Sequence, residues 1–167
     1  MKRWVFTLLI ILVLAVVLIV AGYQQISIDA LQEPGPLETI LATRVKHLLV
    51  FRSSSHDGIS SAPTDLPVSI EAGDRLFGTE CAQCHGLDGH TPTDAGRWMY
   101  PRAPDLASSE VQQYSDRELF WIVKNGIRLS GMPAFGKVES DEHIWNLSHY
   151  VRSLKTSATS QNNGAAQ

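Results

Sequence analysis

Cys81-Ala82-Gln83-Cys84-His85 is the stretch that decides how this chain folds. Two thiols at this spacing can each add to one vinyl group of a haem, giving two thioether bonds. The histidine that follows is then held where its imidazole can bind the iron. Both cysteines of the chain lie in the motif. Two cysteines and six histidines scattered over 167 positions would produce it roughly once in two thousand chains. The rival readings are weaker. A zinc ribbon needs a second ligand pair, and there is no third cysteine. A thioredoxin-like motif needs a βαβ setting and does not require the histidine. A disulfide between residues three apart is strained. The sequence therefore predicts one covalently bound haem c, with Cys81 and Cys84 as attachment points and His85 as an iron ligand.

The formal net charge is −3, so nothing basic points to nucleic acid. After Lys2 and Arg3, an uncharged stretch runs from Trp4 to Tyr23. Twenty helical residues span about 30 Å, the thickness of a bilayer core, and Trp4 and Tyr23 sit where interfacial aromatics belong. Residues 1–23 are expected to be an uncleaved single-pass anchor. A signal peptide cut near Val20-Ala21-Gly22 is the alternative, disfavoured by the length of the apolar run. Lys2 and Arg3 keep the N-terminus cytoplasmic and place the remainder on the periplasmic or outer side of the inner membrane.

Residues 24–67 read as a spacer. Within it, Leu37, Ile40, Leu41, Val45, Leu48 and Leu49 form one helical stripe over about 37–51. Two uses of that helix stand level: lying on the membrane or a partner subunit, and packing on the chain's own haem domain. Ser53 to Pro67 is rich in turn formers and reads as a flexible tether. The haem domain is placed at 68–156. The polar tail 157–167 has no core-forming pattern and is expected to lack structure.

Inside the haem domain, helices are predicted at 71–80, leading into the motif, and at 116–125. The second has Ser115 and Glu118 as a capping box and Gly126 as its stop. A last helix starts near Ser140, with Ile144, Leu147, Tyr150, Val151 and Leu154 as its stripe. No useful strand alternation occurs, so the domain should be all-α. For the second axial position, Met132 is favoured over a second histidine. It lies in Gly131-Met132-Pro133, a Gly- and Pro-rich loop that can turn a side chain inward. Met99 lacks such a loop, His90 is too near His85, and His143 and His149 fit the polar face of the last helix. Arg97, Trp98, Tyr100 and Arg102 suit haem propionates, and ordinary surface or core packing suits them equally.

The segment from Glu71 to Leu154 resembles a class I cytochrome c domain of the short bacterial type found in cbb3-type oxidase subunits. Gly73 and Phe77, Cys81 to His85, Ala103-Pro104-Asp105-Leu106, Gly131-Met132-Pro133, and Trp145, Leu147 and Tyr150 carry the resemblance. It implies a cytochrome c fold of four or five short helices around one haem. It also implies that the first helix crosses the last at Gly73 and Phe77, against Leu147 and Tyr150. The Pro104 carbonyl would accept the His85 Nδ1–H, and the Met132 sulfur would be the distal ligand. A saturated His/Met iron suits single-electron transfer between respiratory or periplasmic redox partners, with no small-molecule substrate. Two alternatives remain open: a haem subunit of a larger membrane oxidoreductase, and a sensor or peroxidase with an open distal site.

Overall fold

The computed structural model describes residues 2–23, 29, 32–59 and 61–164. It divides into two compact units, Met1–Glu33 and Pro34–Gln167. The first holds α1 (Lys2–Tyr23), whose aliphatic side chains are exposed along almost its whole length. Its segment Arg3–Tyr23 is long and apolar enough to cross a membrane.

The second unit is all helical among the described residues. It contains α2 (Pro36–His56), α3 (Leu66–Glu80), α4 (Ala82–His85), α5 (Asp94–Arg97), α6 (Ser109–Gln112), α7 (Asp116–Asn125) and α8 (Asp141–Gly164). The short turns α4 to α6 were not readable from periodicity. The longer helices are set by local chemistry. Pro36 and Pro67 occupy first-turn positions, where a missing N–H costs nothing. The Asp65 carboxylate accepts from Val68 N, so α3 starts five residues earlier than expected. Ser115 and Glu118 close the capping box on α7, and Gly126, at φ 67°, ends it.

The core is the crossing of α3 with α8, with α7 packed beside it. A Cβ on Gly73 would lie 2.1 Å from the Asn146 carbonyl oxygen, so two backbones touch where only glycine fits. Phe77 meets Tyr150 at a ring separation of 5.0 Å, and Phe120 meets Trp145 at 4.6 Å. The buried Gln112 amide donates to the carbonyls of Leu106 and Val151 and so ties the loop before α6 to α8. The tail expected to lack structure continues α8 as far as Gly164, because no Pro or Gly interrupts residues 155–163; residues 165–167 lie outside the described residues.

α2 packs on the haem domain, but not through its apolar stripe. The docked face is Lys46, His47, Val50 and Ser54, of which Val50 and Ser54 are buried and the other two half-buried. Lys46 pairs with Glu110 at 2.9 Å, His47 stacks on Tyr114 at 4.1 Å, and Arg117 Nε donates to the Ser54 carbonyl at 2.8 Å. These bonds carry the helix on to His56, so the expected tether shrinks to residues 57–65, of which residue 60 is outside the described set.

His149 is also placed differently from expectation. It is buried, not on a polar face. Its Nδ1–H donates to Ser69 Oγ at 2.8 Å, and Ser69 in turn donates to Asn146 Oδ1 at 2.6 Å. Burial holds its pKa below the ordinary 6.5, against a smaller opposing effect of Asp116. The unfolded state therefore takes up a proton that the folded state refuses. Stability is full above about pH 6.5, falls as pH drops below it, and levels once the folded imidazole itself protonates. Thermal melts of the full holo-protein across this range should show that slope, and His149→Gln should flatten it.

Candidate functional site

The haem motif is a single turn between two helices. Cys81 caps the end of α3 and opens α4, and its carbonyl accepts from both Cys84 N (3.1 Å) and His85 N (3.0 Å). That turn puts the two thiols on one side, both partly exposed. Burial, with Glu80 and Cys84 beside it, pushes the Cys81 thiol up to about 12, so it carries S–H, the bond that adds across a vinyl group.

The following loop folds back onto the turn. Gly86 has φ 78°, and a Cβ there would sit 2.1 Å from the Thr91 carbonyl oxygen. Thr93 Oγ1 donates to the Gln83 carbonyl at 2.6 Å, and Gly96 packs so closely on Cys84 that an added Cβ would lie 2.1 Å from its carbonyl oxygen. Ala103 N then donates to the Gly96 carbonyl at 2.9 Å and delivers Pro104 to the histidine. His85 Nδ1 lies 3.2 Å from the Pro104 carbonyl oxygen. Because a carbonyl only accepts, Nδ1 carries the proton and Nε2 is left as a bare donor to a metal. Burial holds the His85 pKa down, which keeps that nitrogen unprotonated. His90 lies 3.4 Å from Asp105 and is occupied there.

Met132 stands at the end of a tight loop that begins at Gly126. Ser130 Oγ donates to the Ile127 carbonyl at 2.7 Å, Met132 N donates to Ser130 Oγ at 3.2 Å, and Ile127 N reaches the Met132 carbonyl at 3.4 Å. A Cβ on Gly126 would lie 2.7 Å from the Pro133 carbonyl carbon, so the loop closes only over glycine. The partly buried Met132 packs against the core. Two thiols on one turn beside a tautomer-locked imidazole suit the attachment and ligation of a c-type haem, and the chain fits that group.

Three of the four propionate candidates are engaged elsewhere or open to solvent. Arg97 pairs with Asp94, the Tyr100 hydroxyl donates to Glu38 of α2, and Trp98 is 75% exposed. Met99, set aside in the sequence for want of a loop, has a neighbour the sequence does not show. The Met99 sulfur would lie 2.4 Å from a Cβ on Gly131, so a second thioether sits beside the Met132 loop. No local pattern connects residues 99 and 131; only the tertiary fold does.

Residues 68–151 match the family model described as cytochrome c oxidase, cbb3-type, subunit III. Among solved structures, the chain is similar to the KustC0563 c-type cytochrome, with 31% identity and a TM-score of 0.44, over 50% of this chain and 96% of that one. It is also similar to a chain of the Kuenenia stuttgartiensis reducing HAO-like protein complex Kustc0457/Kustc0458, with 25% identity and a TM-score of 0.45, over 58% of this chain and 47% of that one. It thus spans about half the length of the second. No curated protein matches.

Proposed function

Since the chain belongs to the family of cbb3-type cytochrome c oxidase subunit III, we propose that it is a membrane-anchored mono-haem c-type cytochrome that carries single electrons through a His85/Met132-ligated iron. The observation that carries this reading is the hydrogen bond from His85 Nδ1 to the Pro104 carbonyl, which leaves Nε2 as the donor atom on the turn that holds both thiols. The haem, when bound, supplies a redox centre whose charge changes by one with little movement of its surroundings. The protein's residues do the rest. Cys81 and Cys84 fix the macrocycle to the chain. Pro104 holds the imidazole in one tautomer and orientation. Met132 would supply the second iron ligand and so keep out water and small ligands. No acid–base or nucleophilic step is required of any side chain, and the protein acts as a carrier, not an enzyme.

α1 serves as the anchor, with the haem domain on the periplasmic or outer side and redox proteins as its partners. A second reading has one observation in its favour: the family is described as an oxidase subunit, so the chain could serve as the haem subunit of a larger membrane oxidoreductase. Sedimentation of the mildly solubilised protein from native membranes separates the two, because a subunit travels with its complex. The test of the closed iron is carbon monoxide. The reduced full-length protein should titrate as a one-electron centre and leave carbon monoxide unbound at neutral pH. Ready binding would mean an open distal position and a sensor or peroxidase instead.

A further inference from the structure

We propose that the outward face of α2, together with the Trp98–Tyr100 turn, is a bilayer-contact patch that lays the haem domain on an anionic membrane surface. The helix is two-sided. At 100° per residue, the face docked on α6 and α7 (Lys46, His47, Val50 and Ser54) is opposite Leu37, Leu41, Val45 and Leu48. Those four are 53–70% exposed, an apolar stripe left uncovered by the chain that built it. A soluble domain of this size has no structural use for such a stripe.

Three features of the molecule select lipid as the occupant. The first is tether length. Only residues 24–35 separate Tyr23, the end of the apolar span, from Pro36, a reach of at most about 45 Å. The stripe is therefore held within reach of the membrane at all times. The second is charge. Arg44 and Arg52 are exposed on the outward half of the helix, and no carboxylate among the described residues pairs with either. The one acidic residue of α2, Glu38, is taken by the Tyr100 hydroxyl. Leucines flanked by free arginines match the acyl boundary and the phosphates of an anionic bilayer. The third is the aromatic rim. The bond from Tyr100 to Glu38 brings Trp98 and Tyr100, both exposed, beside the first turn of α2. Trp and Tyr are the side chains that favour the headgroup level. Through Met99, which packs on Gly131, the same turn adjoins the Met132 loop. Contact with the bilayer would thus fix which way the haem domain faces.

The proposal rests on α1 remaining in the membrane, so the test reads the two separately. The full-length holo-protein, with a protease site placed within residues 24–33, is reconstituted in vesicles of phosphatidylcholine with about 30% phosphatidylglycerol. Resistance of the uncut chain to alkaline extraction reports the anchor. After cleavage, haem absorbance in the pellet reports the patch. The freed haem domain should stay with the vesicles. The double variant Leu41→Asp/Leu48→Asp, at exposed positions that leave the docked face intact, should lower its partitioning at least about tenfold with an unchanged haem spectrum. Release of the parent domain on cleavage overturns the proposal. Release from these vesicles with retention on native membranes also overturns it, because a membrane protein would then be the occupant.

Discussion

With Met132 as the proposed second iron ligand, Met132→Ala should lower the reduction potential of the full-length holo-protein by on the order of 0.2 V, a quarter of the roughly 0.8 V that axial ligation commands. For a one-electron couple that is about 5 kcal/mol of lost preference for the reduced state. A neutral, polarizable thioether stabilises Fe(II) relative to water or imidazole. Removing it leaves the His85 side untouched, since the Pro104 bond and the thioether turn belong to a different part of the chain. The same variant should lose the methionine-to-iron charge-transfer band and gain carbon monoxide binding in the reduced form. Met99 makes the experiment sharper. Its sulfur lies against Gly131, near enough to tempt the opposite assignment. Met99→Ala should keep both the band and the potential, because residue 99 has no closed loop of its own like the one Gly126 starts. A retained band in Met132→Ala together with its loss in Met99→Ala would transfer the ligand to residue 99.

What could be read from the sequence followed the range of the signal. The capping box of α7 and the stop at Gly126 are local patterns, and they stand where they were expected. The stripe of α8 is local too, and Ile144, Leu147, Val151 and Leu154 are buried. Errors arose where a partner distant in sequence decided burial. Periodicity marked the leucines of α2 as one stripe but left open whether that stripe meets the membrane, a partner or the haem domain. The structure docks α2 through Lys46 and His47, both half-buried, which have Glu110 and Tyr114 to meet. His149 was assigned to a polar surface for its polarity alone. Ser69, eighty positions away, gives its Nδ1 a partner in the interior. A buried polar group is visible in a sequence only together with the group that satisfies it, and that pairing is a property of the fold. The outcome at α2 carries functional weight, since the leucines left outside are those proposed for lipid contact.

Gly73→Ala should destabilise the protein by about 3 kcal/mol. The added carbon would fall 2.1 Å from the Asn146 carbonyl oxygen, 2.6 Å from its carbonyl carbon and 2.8 Å from Tyr150 Cβ. Two of those atoms are backbone in the middle of α8 and cannot rotate away, so the helices must part. One turn before Gly73, Ser69 makes its bonds of 2.6 and 2.8 Å to Asn146 and His149; one turn after it, Phe77 is fully buried against the Tyr150 ring. Separation therefore loosens a buried polar cluster and the tightest aromatic contact of the crossing together. At about 4–8 °C per kcal/mol for a domain of this size, the midpoint should drop by roughly 12–24 °C. Gly78→Ala is the matched control. It lies in the same helix with nothing within 4 Å of its would-be Cβ, so the substitution only removes a helix-interior glycine. It should be neutral or raise stability by about 0.4–1 kcal/mol. Thermal melts of the two holo-variants, followed by far-UV dichroism, should therefore move in opposite directions. A Gly73→Ala midpoint within a few degrees of the parent would mean that α3 and α8 do not cross at residue 73.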